Sequence, residues 1–129
     1  MNYRLQKNER LHAKKSIKEL FEKGSSFFLY PFKVVYLPLG PTRSETNQVL
    51  FSVSKRKIRR AIDRNYIKRR MKEGYRLNKG LISSLGVRYK IAFIYLAPGL
   101  EDFHTLQAKV QKALEKIANQ INQTSNGKQ

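Results

Sequence analysis

The chain contains no cysteine. It therefore has neither a disulfide framework nor a thiolate metal site, and a reducing cytoplasm suits it. No apolar run approaches the ~18–20 residues of a membrane-spanning helix. The opening MNYRLQKNER lacks the apolar core of a secretory signal. The expectation is a cytoplasmic protein with no membrane partner. Acidic residues are scarce: nine Asp and Glu face 27 Lys and Arg, for a net charge of +18 and a sequence pI near 10.4. That imbalance calls for a polyanion, nucleic acid first and an anionic membrane surface second. Catalytic groupings are missing too. His12 and His104 are isolated, and no HExxH, paired-cysteine or Walker pattern is present. Helix capping explains the adjacent Glu101 and Asp102 better than acid–base chemistry does, and neighbouring cations account for Asp63 and Glu73.

What is present is enough to fold. Hydrophobic residues make up 40% of 129 residues, with seven Phe and seven Tyr, which argues for one domain with a real core. Residues 1–13 and 123–129 are polar and are expected to be loose. Ile17, Leu20 and Phe21 at helical spacing, stopped by Gly24, predict a short amphipathic helix. Ser25 to Leu29 reads as an edge strand, and alternation predicts strands at Phe32 to Leu39 and Gln48 to Ser54. A basic stretch follows, with a further helical turn or two between Asn78 and Leu85. Arg88 to Ala97 is apolar on both faces and reads as a central strand. Asp102 is placed to cap a last helix, in which Phe103, Leu106, Val110, Ala113, Leu114, Ile117 and Ile121 keep helical spacing. The class is α+β, a small sheet with helices packed on it.

The chain is organised around Lys55 to Arg76. Eleven of these 22 residues are Lys or Arg. On a helix, Ile67, Met71, Gly74 and Tyr75 fall on one side, and Ala61, Asn65, Lys68, Arg69, Lys72 and Arg76 on roughly the other. Ile58 and Ile62 fit neither side and are expected to pack where the helix begins. A solvated helix mixes charge signs at i,i+4, whereas this one repeats one sign at a cost of a few tenths of a kcal/mol per pair. A neutralising partner is the simpler explanation. The short Ala61 and Asn65 let a bulky polyanion approach, and Asn can bond a phosphate or sugar hydroxyl.

The run Phe51-Ser-Val-Ser-Lys-Arg-Lys57, then Ala61, Arg64-Asn65, Ile67-Lys68-Arg69, Glu73 and Tyr75-Arg76, resembles the signature of the bacterial ribonuclease P protein subunit. Arg10-Leu11, the Ile17-to-Phe21 helix, Gly24-Ser25 and the strand ending Ile94-Tyr-Leu-Ala97 resemble that family as well, over roughly residues 4–121. The resemblance implies an α/β sandwich of order αβββαβα: a four-stranded sheet, three helices and a left-handed βαβ crossover. It implies a catalytic RNA subunit as partner and precursor tRNA as substrate, with the 5′ leader removed by the RNA and its magnesium ions.

Carried over by resemblance, the RNA-binding set is Lys55, Arg56, Lys57, Arg59 and Arg60 on the lead-in, then Arg64, Asn65, Lys68 and Arg69 on the helix, with Tyr66, Lys72 and Arg76 beside them. The implied leader cleft involves Ile17, Phe21, Lys33, Val35 and Tyr36. Lys33 and Val35 share one strand face and Tyr36 takes the other, so either face is open as the lining. Two positions depart from the family. Tyr66 stands where Arg is usual, and it implies either a base or ribose contact or a packing role. Ile17 stands where Phe is frequent, which leaves more of the stacking to Phe21. Helical spacing alone would put Phe21 in the core. The competing class is a ribosomal or other structural RNA-binding protein, with the same size, charge and element order but no catalytic partner.

Overall fold

A computed structural model of the chain describes residues 9–39, 46–83 and 87–127, with side chains as far as residue 119. Its elements run α1 (Lys14–Lys23), β1 (Ser25–Leu29), β2 (Phe32–Pro38), β3 (Gln48–Val53), α2 (Ala61–Asn78), α3 (Gly80–Ser83), β4 (Tyr89–Tyr95) and α4 (Phe103–Gly127). The expected αβββαβα order holds, with α3 as one added turn after α2. The strands form a single sheet of order β1-β2-β4-β3. β1, β2 and β4 pair antiparallel, whereas β3 runs parallel to β4 and reaches it through the α2–α3 crossover.

Side-chain alternation divides the sheet into two unlike faces. On one face Phe32, Val34, Tyr36, Val49, Phe51, Val53, Ile91, Phe93 and Tyr95 form the main core. α2 closes it with Ile67, Met71 and Tyr75, and α4 with Leu106, Val110, Ala113, Leu114 and Ile117. The rings of Phe51 and Phe93 stack at 5.6 Å, and Tyr75 meets both edge-on. Each fully buried large apolar side chain here contributes roughly 1.5–3 kcal/mol of transfer free energy, so this face dominates stability. Gly74 sits where α2 crosses α4; a Cβ there would lie 3.2 Å from the Gln107 Cα. Asp102 caps α4 as expected, accepting from the Thr105 N–H at 2.7 Å.

The opposite face holds a smaller cluster of Leu11, Leu20, Val35 and Ala92. Among the described residues, α1 and Leu11 cover part of it. The cover is pinned by Glu19, whose carboxylate accepts from the mostly buried Lys90 ammonium on β4 at 2.7 Å. Gly24 ends α1 where the chain turns onto β1. A Cβ there would stand 2.4 Å from the Leu20 carbonyl oxygen and 2.9 Å from that of Tyr36, so the turn admits only glycine. Residues 9–11 are tied down at the β3 edge. Arg10 bridges Val49, the Leu11 N–H donates to the Val49 carbonyl, and Glu9 accepts from Lys79 at 3.0 and 3.2 Å.

Candidate nucleic-acid interface

The basic stretch splits into a loop and a helix. After β3, Lys55, Arg56 and Lys57 form an exposed turn. It is closed by the Ile58 N–H donating to the Ser54 carbonyl at 3.0 Å. Ile58 is buried and anchors this loop to the core. Arg59 and Arg60 stay exposed, and α2 starts at Ala61. Arg64 reaches back from the first turn of α2. Its guanidinium donates to the carbonyls of Ile58 at 2.9 Å and Arg59 at 2.6 Å, bracing the loop against the helix. Ile62, expected beside Ile58, is instead 64% exposed. It faces away from the sheet and lines an open hollow with Tyr66, Arg69 and Leu100.

Along α2 the separation of faces is as the spacing predicts. Ile67, Met71, Gly74 and Tyr75 are buried, while Ala61, Asn65 and Arg69 are exposed and Lys68, Lys72 and Arg76 partly so. Arg76 is engaged by Glu73, to which its Nε donates at 3.0 Å, and each partner's charged form is favoured by the other. Asp63 pairs with Arg60 at 3.8 Å. At Lys72 the fold works against the charge. Burial holds its pKa below the ordinary lysine value, and the cations of Arg10 and Lys68 push it further down. Arg10 comes from the segment on the β3 edge, so this positive patch is assembled from two elements. It is the one member of the patch that helical spacing could not reveal.

Tyr66 packs partly buried against the main core. The Arg70 guanidinium lies 4.8 Å from its ring centroid and 5.5 Å from that of Phe103, wedged between α2 and α4. Tyr66 therefore packs at the α2–α4 junction and also lines the open hollow.

Register settles how the second candidate set is divided. Phe28, Lys33, Ile94 and Ser52 form one row across all four strands on the α1 side. Ser26, Val35, Ala92 and Leu50 form the next row, and Leu37, Lys90 and Gln48 the one after. α1 packs over the second and third rows, so Val35 is only 4% exposed beneath it, with Ile17 partly buried alongside. Lys33 is exposed in the first row, and Phe21 on α1 is 46% exposed rather than core. Tyr36 does not belong to this set. Alternation turns it to the opposite face, where it is 7% exposed and packs against Phe27 and Tyr89. Burial raises its phenol pKa, as it does that of Tyr89. His12 and His104 are exposed, as expected. Among the described residues no group of three or more His, Cys, Asp or Glu could hold a metal ion, and no helix is long and apolar enough to cross a membrane.

A strongly basic α/β sandwich with a cationic helix on one side and a half-covered sheet face on the other fits the class of nucleic-acid-binding proteins. Comparison with known proteins specifies which. A family model described as Ribonuclease P matches residues 5–118. The ribonuclease P protein component of Porphyromonas gingivalis is 37% identical over 121 residues, covering 91% of this chain and 88% of that protein. Two solved structures share the fold. One is the Staphylococcus aureus RNase P protein, with a TM-score of 0.69 at 23% identity, covering 85% of this chain and 94% of that one. The other is the RNase P protein from Thermotoga maritima, with a TM-score of 0.69 at 24% identity, covering 84% and 96%. The chain belongs to the ribonuclease P protein family. It is thereby an RNA-binding ribonucleoprotein component with a role in tRNA processing by ribonuclease P, an endoribonuclease.

Proposed function

We propose that this protein works in the cytoplasm on two RNAs through two different surfaces. The catalytic RNA subunit docks on the loop from Lys55 to Arg60 and on the outer stripe of α2, where Asn65, Lys68, Arg69 and Lys72 meet its phosphates and sugars. The 5′ leader of precursor tRNA lies on the uncovered sheet face beside α1, near Phe21 and Lys33. Bond cleavage belongs to the RNA subunit and its magnesium ions. On the protein side the residues bind and orient; none is assigned a proton transfer.

The observation that carries the reading is the continuous cationic surface of the Lys55–Arg60 loop and the outer side of α2, within which burial first and the charges of Arg10 and Lys68 second disfavour the ionised form of Lys72. Such an arrangement costs energy in the free protein and is relieved when phosphates neutralise it. The test separates the surfaces. Lys68→Ala and Arg69→Ala should each weaken the RNA subunit and flatten the salt dependence of its binding by about one phosphate contact. Phe21→Ala and Lys33→Ala should leave that affinity unchanged, and lower the affinity of the reconstituted holoenzyme for precursor but not mature tRNA. If both pairs of variants lose the same ligand, the two-surface assignment is wrong.

A further inference from the structure

Phe28 has no partner in either core cluster. It is 60% exposed on the outermost strand, yet it points to the same side as α1. Phe27 and Leu29 beside it turn to the other face and pack against the main core. Exposing an aromatic ring on an edge strand is unfavourable for a free protein and invites association. Its surroundings define what it suits. Directly across the ladder is the exposed Lys33, followed by Ile94 and Ser52, both half covered. Ile94 packs at the margin of the minor cluster, whereas Phe28 and Lys33 are exposed; the row crosses four strands, a length of about 14 Å at ordinary strand spacing. At its β3 end the chain continues directly into Ser54 and the cationic loop from Lys55. At its β1 end stands the Phe28 ring. A cation next to an open aromatic face, at the far end of a shallow polar and apolar track, is the chemistry that holds a single-stranded nucleotide by its phosphate and its base.

We infer that Phe28 is the distal stacking platform for the precursor tRNA leader, with Lys33 holding the adjoining phosphate. This rests on the reading of the α1-side face as the leader surface. The RNA subunit occupies the β3 end of the row, next to the loop and α2, so the leader enters there and its nucleotides farthest from the cleavage site reach β1. Ile17 on α1 and Val35 beneath it offer no ring on this face, which leaves Phe21 and Phe28 as the exposed phenylalanines among the described residues on the α1 side. Phe28 thus supplies sequence-tolerant affinity for longer leaders, because every base has a π-face.

The experiment uses holoenzyme rebuilt with the full chain and precursor tRNAs whose leaders lengthen one nucleotide at a time, with mature tRNA as reference. Phe28→Ala should bind short leaders like the parent and lose about five- to tenfold in affinity once the leader is long enough to reach β1, the lower part of the range for one base–aromatic stack. Phe28→Tyr should restore the gain and Phe28→Leu should not, since the contact needs a ring rather than bulk. The free variants should melt like the parent, because the side chain is exposed. If Phe28→Ala matches the parent at every length while the parent still prefers precursor, the platform is refuted and the leader surface stands. If the parent shows no gain with leader length at all, the leader surface itself fails. Loss already at the shortest leader would overturn the distal position. A change confined to self-association of the free protein would make the ring a contact between copies instead.

Discussion

Lys72 combines a cost to the fold with the RNA contact proposed for it. Its folded pKa lies below the ordinary lysine value, so the fold disfavours the charged form. Deprotonation at high pH, or removal of the charge, therefore relieves the native state. Lys72→Gln should raise the melting temperature of the free protein and weaken its affinity for the RNA subunit, a trade seen where stability is given up at a binding site. A fall in melting temperature would mean that the aliphatic stem of Lys72 matters more than its charge. Tyr66 poses the opposite case. The family resemblance leads one to expect a cation at this position, but the ring lies against the core and beneath Arg70. Tyr66→Arg should lose the cation–π contact and set two guanidinium groups one turn apart, costing about 1–2 kcal/mol in thermal or denaturant unfolding. If the variant is as stable as the parent, the ring contributes nothing to the α2–α4 junction.

At the scale of elements, α1 is the cover whose position creates the open row. It is fixed by Leu20, by the tight turn at Gly24 and by the Glu19–Lys90 ion pair. Lys90 holds the Glu19 carboxyl below the ordinary value of 4.5, by hydrogen bond first and charge second. A depressed carboxylate stabilises the fold above its unfolded pKa, and the contribution is lost as pH falls through the folded value. Glu19→Gln should therefore be less stable than the parent near neutral pH, and the gap should close below about pH 4.5. A gap that persists into acid would show that the pair does not fasten α1.

Much of this was legible in the residues, because each element repeats its own period. β1 was readable as an edge strand, α2 as a helix with one cationic side, and Asp102 as a cap. What the periods could not supply was pairing between distant segments. Alternation put Lys33 and Tyr36 on opposite faces but could not say which face α1 covers. Ile62 was misplaced because α2 begins three residues after Ile58, so the two isoleucines share no helical face. Arg10 joins Lys72, and Lys90 meets Glu19, only through the order of strands in the sheet.

For the whole molecule, a net charge of +18 on 129 residues is sustained by an unequal pair of cores, the main one under α2 and α4 on one sheet face and a small one under α1 on the other. The remainder of that face, uncovered among the described residues, and the outer side of α2 are the two surfaces proposed for RNA. A ribosomal protein would need only one of them. The most direct test is cleavage of precursor tRNA by the cognate catalytic RNA at low magnesium, with and without this protein, alongside the affinities for precursor and mature tRNA. The protein should accelerate 5′ leader removal and selectively tighten precursor binding, with Lys68→Ala reducing the first and Lys33→Ala the second. Equal cleavage rates and equal affinities with and without saturating protein would contradict the account.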